Sequence, residues 1–419
     1  MKTIEGWKTY RVRDICDLGR GRVISGKEIE LNPGVFPVYS SQSSNNGKMG
    51  SIDTYDFDGE YVTWTTDGAY AGTVFYRSGK FNCTNVCGTL HAKESHVFMP
   101  FIAYKLSTLA KDHVSYVGNP KLMNGVMANI ELAIPASKPE QTKIAEILST
   151  VDQAIEQTEA LIAKQQRIKT GLMQDLLTRG IDEHGNIRSE QTHKFKDSPL
   201  GRIPFEWDVV SLQSLASKDK HSIVDGPFGS NLKTIHYRDL GIPIIQSGFV
   251  TKGIFMAEQY LFVDEGKFKS EIRSKAVPSD IIMAKIGARC GMCAILPDDH
   301  PISIIAGNCI KISVSKDNSN KYVLAFLQFD YERTRFEDII STTAQPAISM
   351  SALKKKLIKK PSLQEQQSIS QAIDNVSCQF DMDQKTSSKL ISVKTALMQD
   401  LLTGRKRVTP LLKDEVITG

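Results

Sequence analysis

The 419-residue sequence has no apolar run long enough to cross a bilayer, for which about 18 residues are needed. Its opening, "MKTIEGWKTYRVRDIC", lacks the apolar stretch of a signal peptide, so no secretory signal is expected. No Gly-x-x-x-x-Gly-Lys-Ser/Thr phosphate loop occurs, and no Gly-x-Gly-x-x-Gly follows a strand-like run. His-Glu-x-x-His and Gly-x-Ser-x-Gly are missing as well. So is an Asn-Pro-Pro-Tyr-like tetrapeptide of amino-methylating enzymes; "GNPKLM" only begins like one. These absences argue against a stand-alone methyltransferase or nuclease.

Cysteine is sparse and odd in number: seven residues, in keeping with reduced thiols in a cytosol. Cys290 and Cys293 form C-x-x-C, and Cys83 and Cys87 form C-x-x-x-C. Such spacings suit zinc, but the pairs lie far apart in the chain and no histidine sits at ligand spacing beside either. They read as small packing residues, and no metal is expected. The eight histidines are scattered, and none is nominated for catalysis.

What is present begins with an ordinary globular balance, 41% hydrophobic and 24% charged, in a chain long enough for two or three domains. The net charge of +5 is unevenly spread: residues 200–361 carry 22 Lys/Arg against 17 Asp/Glu, while the other segments are close to neutral. A polyanionic partner is compatible with this, not demanded by it.

The phrase LMQDLLT occurs twice, at Leu172–Thr178 and at Leu397–Thr403. Extended backward without a gap, Lys169–Thr170 matches Lys394–Thr395, Val151 matches Val376, Ile144 matches Ile369, and Glu140–Gln141 matches Glu365–Gln366. After a one-residue slip Pro135 falls on Pro361, and Asn119–Pro120 falls on Gln345–Pro346. Apolar residues at Ile144, Leu148, Val151, Ile155 and Ile162, and at Ile369, Ile373, Val376 and Phe380, predict two long helices that pack lengthwise. Each is on the order of 50–60 Å long at ~1.5 Å per residue. Gly180 and Gly404, beside Arg179 and Arg405, mark the ends. Two related apolar seams in one chain are most economically buried against each other.

Each helix follows a block of strand-like and turn-like sequence. "YVTWTTDGAYAGTVF" at Tyr61–Phe75 aligns with "DIIMAKIGARCGMCA" at Asp280–Ala294, and "FPVYSSQ" aligns with "IPIIQSG". The expected order is a first recognition block at 1–135, a long helix at 136–180, a linker at 181–199, a second block at 200–361, a second helix at 362–405 and a basic tail at 406–419. The fold class is α+β (mixed).

This combination, with "GLMQDLLTRGID", "HKFKDSPLGRIPFEW", "DGPFGSNLK" and "AQPAISMSALKKKLIKKPSLQEQQSI", resembles the specificity (S) subunits of type I DNA restriction–modification systems along nearly the whole chain. The first block has no "GPFGS"-type loop. The resemblance implies two target-recognition domains and two helices paired antiparallel as a coiled-coil rod with pseudo-twofold symmetry. It implies a non-catalytic, cytoplasmic bacterial or archaeal protein that binds double-stranded DNA with a bipartite target. The implied partners are two methyltransferase (M) subunits and restriction/translocase (R) subunits. S-adenosylmethionine, ATP and Mg are expected in those partners and no cofactor in this chain. The competing readings are a coiled-coil scaffold without a DNA role and the disfavoured stand-alone enzyme.

Reading base edges takes Arg, Lys, Asn or Gln, while Lys, Ser and Thr often hold phosphates. On that basis the candidate DNA contacts in the first block are Ser41, Gln42, Lys48, Thr65, Thr66, Tyr70, Asn119 and Lys121. In the second they are Ser230, Asn231, Lys233, Gln246, Ser247, Lys285, Arg289 and Gln345. With the cysteines assigned to packing, a strong chelator is expected to leave the thermal unfolding midpoint unchanged. A fall in that midpoint would restore a structural metal.

Overall fold

The computed structural model describes residues 4–41, 44–333, 336–341 and 345–415. No helix among them is long and apolar enough to cross a membrane. The chain divides into two units, the first made of Met1–Ala160 and Gln384–Gly419, the second of Leu161–Asp383. Both mix helix and strand.

In the first unit, alternation in "FDGEYVTWT" makes Phe57–Thr65 a strand buried on both faces. Val62 and Trp64 point into a core with Phe101 and Ile102 of the helix Met99–Ser107. Phe57 and Tyr61 pack on Phe81 on the other face. The strand is central in a six-stranded sheet, ordered Cys16–Arg20, Cys87–Ala92, Phe57–Thr65, Val74–Cys83, Pro33–Tyr39, Lys48–Ile52. All neighbours are antiparallel except Pro33–Tyr39, which runs parallel to Val74–Cys83. A separate ribbon pairs Trp7–Arg11 with Glu131–Pro135.

The second unit repeats this wiring with the sheet parted in two. Ile223–Asp225, Cys309–Ile312, Ile281–Ala284 and Cys293–Ile295 form one four-stranded sheet. Leu261–Val263, Ile242–Ile245, Ser303–Ile305 and Lys275–Ala276 form another. The ten-residue strand Val74–Cys83 of the first unit becomes two short strands here, because Pro297 and Pro301 in "LPDDHPI" remove backbone donors from the ladder. Asp208–Ser211 pairs with Leu357–Lys360, and the helix Asn320–Glu332 takes the place of Met99–Ser107.

The two long helices are Lys138–Thr178 and Leu363–Leu401. In each unit the start of one packs beside the end of the other, which makes them antiparallel. In the first unit Ile144, Ala145 and Leu148 share a core with Leu397, Met398, Leu401 and Leu402, and Lys394 Nζ lies 2.5 Å from Asp152. In the second unit Ile369 and Ile373 share a core with Met173, Leu176 and Leu177, and Lys169 sits over the Phe380 ring. The leucines of LMQDLLT therefore belong to the core of each unit as well as to the helix pair.

The repeated Glu-Gln explains how the helices are anchored. Gln141 Nε2 donates to Pro135 O at 2.9 Å, and its Oε1 accepts from Phe98 N at 2.9 Å. Gln366 does the same with Pro361 O at 3.0 Å and Ser319 N at 2.9 Å. Each glutamine thus ties the helix start to the last strand and the packing helix of its unit. Each glutamate reaches to the end of the opposite helix. Glu140 accepts from Arg407 Nε at 2.6 Å and Nη2 at 2.8 Å, while Arg407 Nη1 donates to Glu5 O. Glu365 accepts from both terminal nitrogens of Arg188, from Trp207 Nε1 at 3.0 Å and from Ile181 N at 3.0 Å.

Gly180 ends the first helix with φ +64° and lies against this second cluster. A Cβ there would stand 2.1 Å from Glu365 Oε1 and 2.3 Å from the Trp207 ring. Gly180→Ala is therefore expected to cost the second unit about 2 kcal/mol or more, from the left-handed backbone and the overlap together. Gly171→Ala, in open space within the same helix, is expected to be neutral or stabilising by up to about 1 kcal/mol. Denaturant midpoints of the two variants check the contrast.

Candidate nucleic-acid interface

At one end of the strands, each unit gathers five chain segments through the same backbone hydrogen bonds. In the first unit Thr84 N donates to Tyr39 O, Gly21 N to Cys87 O, Thr66 N to Val86 O, Gly68 N to Pro120 O and Leu122 N to Thr66 O, all at 2.8–3.0 Å. In the second, Ala306 N donates to Ile245 O, Gly226 N to Cys309 O, Lys285 N to Asn308 O, Gly287 N to Pro346 O and Ile348 N to Lys285 O, at 2.8–3.2 Å. The glycine turns after the central strands also agree: Gly72 N donates to Thr65 O, and Gly291 N to Ala284 O, each at 2.8 Å. Pairing "DGAYAG" with "IGARCG", and Asn119–Pro120 with Gln345–Pro346, is therefore a statement about backbone geometry and not only about letters.

The side chains on this shared frame differ. In the second unit Asp225 accepts from Lys285 Nζ and from Arg273 Nη2, each at 2.6 Å. The Lys285 ammonium also lies 4.2 Å from the Phe228 ring centroid, and its side chain is only 14% exposed. Its charge is spent on holding the Gly226–Gly229 loop against the glycine turn. In the first unit the same two backbone positions carry Arg20 and Thr66, and Arg20 Nη2 donates to Thr66 Oγ1 at 3.3 Å.

Among the first-unit candidates, Thr65 and Thr66 are buried, and Thr65 Oγ1 has no hydrogen-bond partner. Asn119 Nδ2 donates to Asp67 Oδ1, and Lys121 Nζ lies 3.8 Å from Asp67 Oδ2. Tyr70, half exposed on the glycine turn, lies on the segment that Asp67 joins to Asn119 and Lys121. Ser41 and Lys48 flank a separate hairpin closed by Ser40 N donating to Gly47 O at 2.9 Å. Gln42 lies outside the described residues.

In the second unit Arg289 and Gln345 are exposed on the two paired segments, and Asn231 and Lys233 are exposed on the loop after Gly229. The Ser230 side chain lies outside the described residues. Gln246 and Ser247 are half-buried, and Ser247 N donates to Asn308 Oδ1 at 3.4 Å. Sequence reasoning passed over Arg20, Asp67, Asp225, Arg273 and Asn308. Only the glycines beside Arg20 and Asp225 hinted at them. A Cβ at Gly21 or at Gly226 would stand 2.2 Å from a carbonyl oxygen of the crossing turn, so both places need glycine.

Six of the seven cysteines are packed in the cores, and Cys378, on the second long helix, is exposed. Cys290 Sγ donates to Lys285 O at 2.9 Å, and burial pushes its thiol up to about 11. Cys293 is fully buried, and its thiol is pushed up to about 12 by desolvation. Both stay protonated near neutral pH.

Two α/β units on one backbone plan, each with its own side chains at one set of turns, define a duplicated recognition protein. The model of the type I restriction modification DNA specificity domain matches residues 4–165 and 204–391, and the chain belongs to this family. The N-terminus of a putative type I specificity subunit from Mycoplasma pneumoniae is 56% identical over 144 residues, which is 34% of this chain and 76% of that protein. The MpnII specificity subunit of the same organism is 46% identical over 34% of this chain and 43% of its own length. The MjaVIII specificity subunit of Methanocaldococcus jannaschii is 24% identical over 98% of this chain and 95% of its own. In fold, the chain is similar to the type I S subunit of M. genitalium, with a TM-score of 0.65 at 15% identity over 96% of this chain and 97% of that one.

Replacing Asp225 by Ala strands the mostly enclosed Lys285 ammonium. Allowing for partial exposure of both side chains, the cost is expected to be about 2 kcal/mol. Adding Lys285→Met is expected to recover most of it, since an apolar isostere needs no carboxylate. Denaturant unfolding of the single and double variants tests the pair.

Proposed function

We propose that this chain is the sequence-reading subunit of a type I restriction–modification complex. Each unit reads one half of a bipartite DNA target. The paired helices set the unread spacer and carry two methyltransferase subunits, and restriction subunits join for cleavage. Methyl transfer and ATP-driven cleavage belong to those partners, which bind the S-adenosylmethionine, ATP and Mg. The observation that carries this reading is the duplicated backbone frame with different side chains on it. One frame used twice suits two copies of one partner, and altered turn chemistry suits two different half-sites.

The contact set is that named from the sequence. In the second unit Arg289 and Gln345 stand at the glycine turn, Asn231 and Lys233 on the adjoining loop, with Ser230, Gln246, Ser247 and Lys285 around them. In the first unit Tyr70, Asn119 and Lys121 occupy the corresponding turns, with Thr65 and Thr66 behind them; Ser41 and Lys48 belong to the set from the separate hairpin, and Gln42 from its sequence position alone. Arg289 is exposed and its side chain makes no hydrogen bond or ion pair with the described residues, so its guanidinium is available to a base edge or phosphate.

Mapping methylated bases in cells that carry this chain and its partners tests the reading directly. A bipartite methylated motif that vanishes when the chain is deleted is the expected result. Arg289→Ala is expected to relax or abolish recognition of one half-site and leave the identity of the other unchanged. An unaltered motif in that variant would remove Arg289 from the contact set. Binding by the assembled complex is expected to weaken steeply with salt, as phosphate contacts require; a flat dependence favours a scaffold without a DNA role.

A further inference from the structure

We propose that Arg20 is a specificity-determining residue of the first unit, reading a guanine edge in that unit's half-site; the inference rests on the DNA-reading function above. Arg20 ends the strand Cys16–Arg20 opposite Gly88, and the next residue, Gly21, bonds to Cys87 O. Asp225 ends the strand Ile223–Asp225 opposite Ile310, and Gly226 bonds to Cys309 O. The two residues occupy one backbone position in the two units, on a strand that borders the five-segment cluster, and they carry opposite charge.

The surroundings of Arg20 are those of a pre-set reader. Its Nε donates to Asn85 O at 2.6 Å and its Nη2 to Thr66 Oγ1 at 3.3 Å. Nη1 has no hydrogen-bond partner among the described residues, and the guanidinium forms no ion pair with them. Both anchors are neutral acceptors, so the cation keeps its full charge while its rotamer is held. Other cations differ in this respect: in the first unit Arg22 is taken by Glu28 and Asp56 and Lys121 by Asp67, and in the second unit Lys285 is taken by Asp225. Those cations would have to give up a carboxylate to meet DNA, and Arg20 would not.

With Nε and one Nη2 hydrogen engaged from the side, the Nη1 hydrogens and the second Nη2 hydrogen of Arg20 remain to form a two-pronged donor. Guanine presents two adjacent acceptors, O6 and N7, in the major groove, whereas adenine presents a donor beside its N7. At the same position of the second unit a carboxylate, already taken by Lys285 and Arg273, offers no such fork. The second unit therefore lacks this reader at the matching position.

The experiment uses the complete complex with its methyltransferase partner. Methylated bases are mapped for Arg20→Ala and Arg20→Lys, and binding is measured on duplexes permuted one base pair at a time across the first half-site. Wild type is expected to discriminate against loss of one G·C pair by about 10- to 100-fold. Both variants are expected to lose that discrimination, the lysine because a point charge cannot fork, while the second half-site stays as it was. If Arg20→Ala abolishes methylation altogether, the permutation series still decides, since discrimination retained at every pair overturns the assignment and discrimination lost at one supports it. An unchanged motif, or a first half-site with no G·C pair, overturns it. So does uniform weakening on all sequences with a shallower salt dependence, which marks a phosphate contact instead. A genome whose methylation does not depend on this chain at all overturns the DNA-reading function itself, a result distinct from any of these.

Discussion

Both units depend on one device, the carboxylate at the start of each long helix. Glu140 and Glu365 are enclosed anions that bind an arginine lying just beyond the end of the opposite helix, Arg407 in one unit and Arg188 in the other. A carboxylate near a helix N-terminus is favoured by the helix dipole, and the fork of an arginine completes it with directional bonds. The neighbouring glutamine, Gln141 or Gln366, fastens the same turn to the final strand of its unit. Helix start, helix end and the two-stranded ribbon are thereby locked at one point in each unit. Such a pair contributes little net stability once desolvation is counted, but losing one partner strands a buried charge.

The two copies of this device are alike but not identical. Trp207 donates its indole N–H to Glu365, while the Trp7 indole nitrogen has no hydrogen-bond partner among the described residues. The sheets diverge further. At the position of Leu296 in the second unit, the first has Arg77, 3% exposed and lying 3.6 Å from the Tyr39 ring centroid, with Nη2 donating to Asn46 O at 2.8 Å. Burial lowers its pKa, against the electrostatic pull of Tyr39, Cys83 and Cys87. An apolar core in one unit and an aromatic-lined cation in the other are borne by one ladder of backbone bonds. Backbone bonds tolerate such exchange because they are indifferent to the side chains they carry.

Much of this plan is legible in the sequence. A four–three spacing of apolar residues predicts a packed helix, and a gapless repeat of Glu-Gln through LMQDLLT predicts that two such helices do the same thing. Both are local patterns read along the chain. The glycine turns were legible as well, because a left-handed backbone leaves a glycine behind. The glutamates were noticed only as matching letters. Their partners, Arg407 and Arg188, lie far away in sequence and have no periodic relation to them.

The sequence alone determined the duplicated order of block and helix, the helical period and the places where the chain turns, since each depends on residues within a few positions of one another. Tertiary structure decided which of the polar residues at those turns are available. Lys285, a candidate DNA contact in the sequence, is held by Asp225, which Arg273 shares, and Thr66, another candidate, has Arg20 against its hydroxyl. Asp225 and Arg20 are brought there by strands from other parts of the chain, so their effect on a neighbour's charge exists only once the sheet has formed.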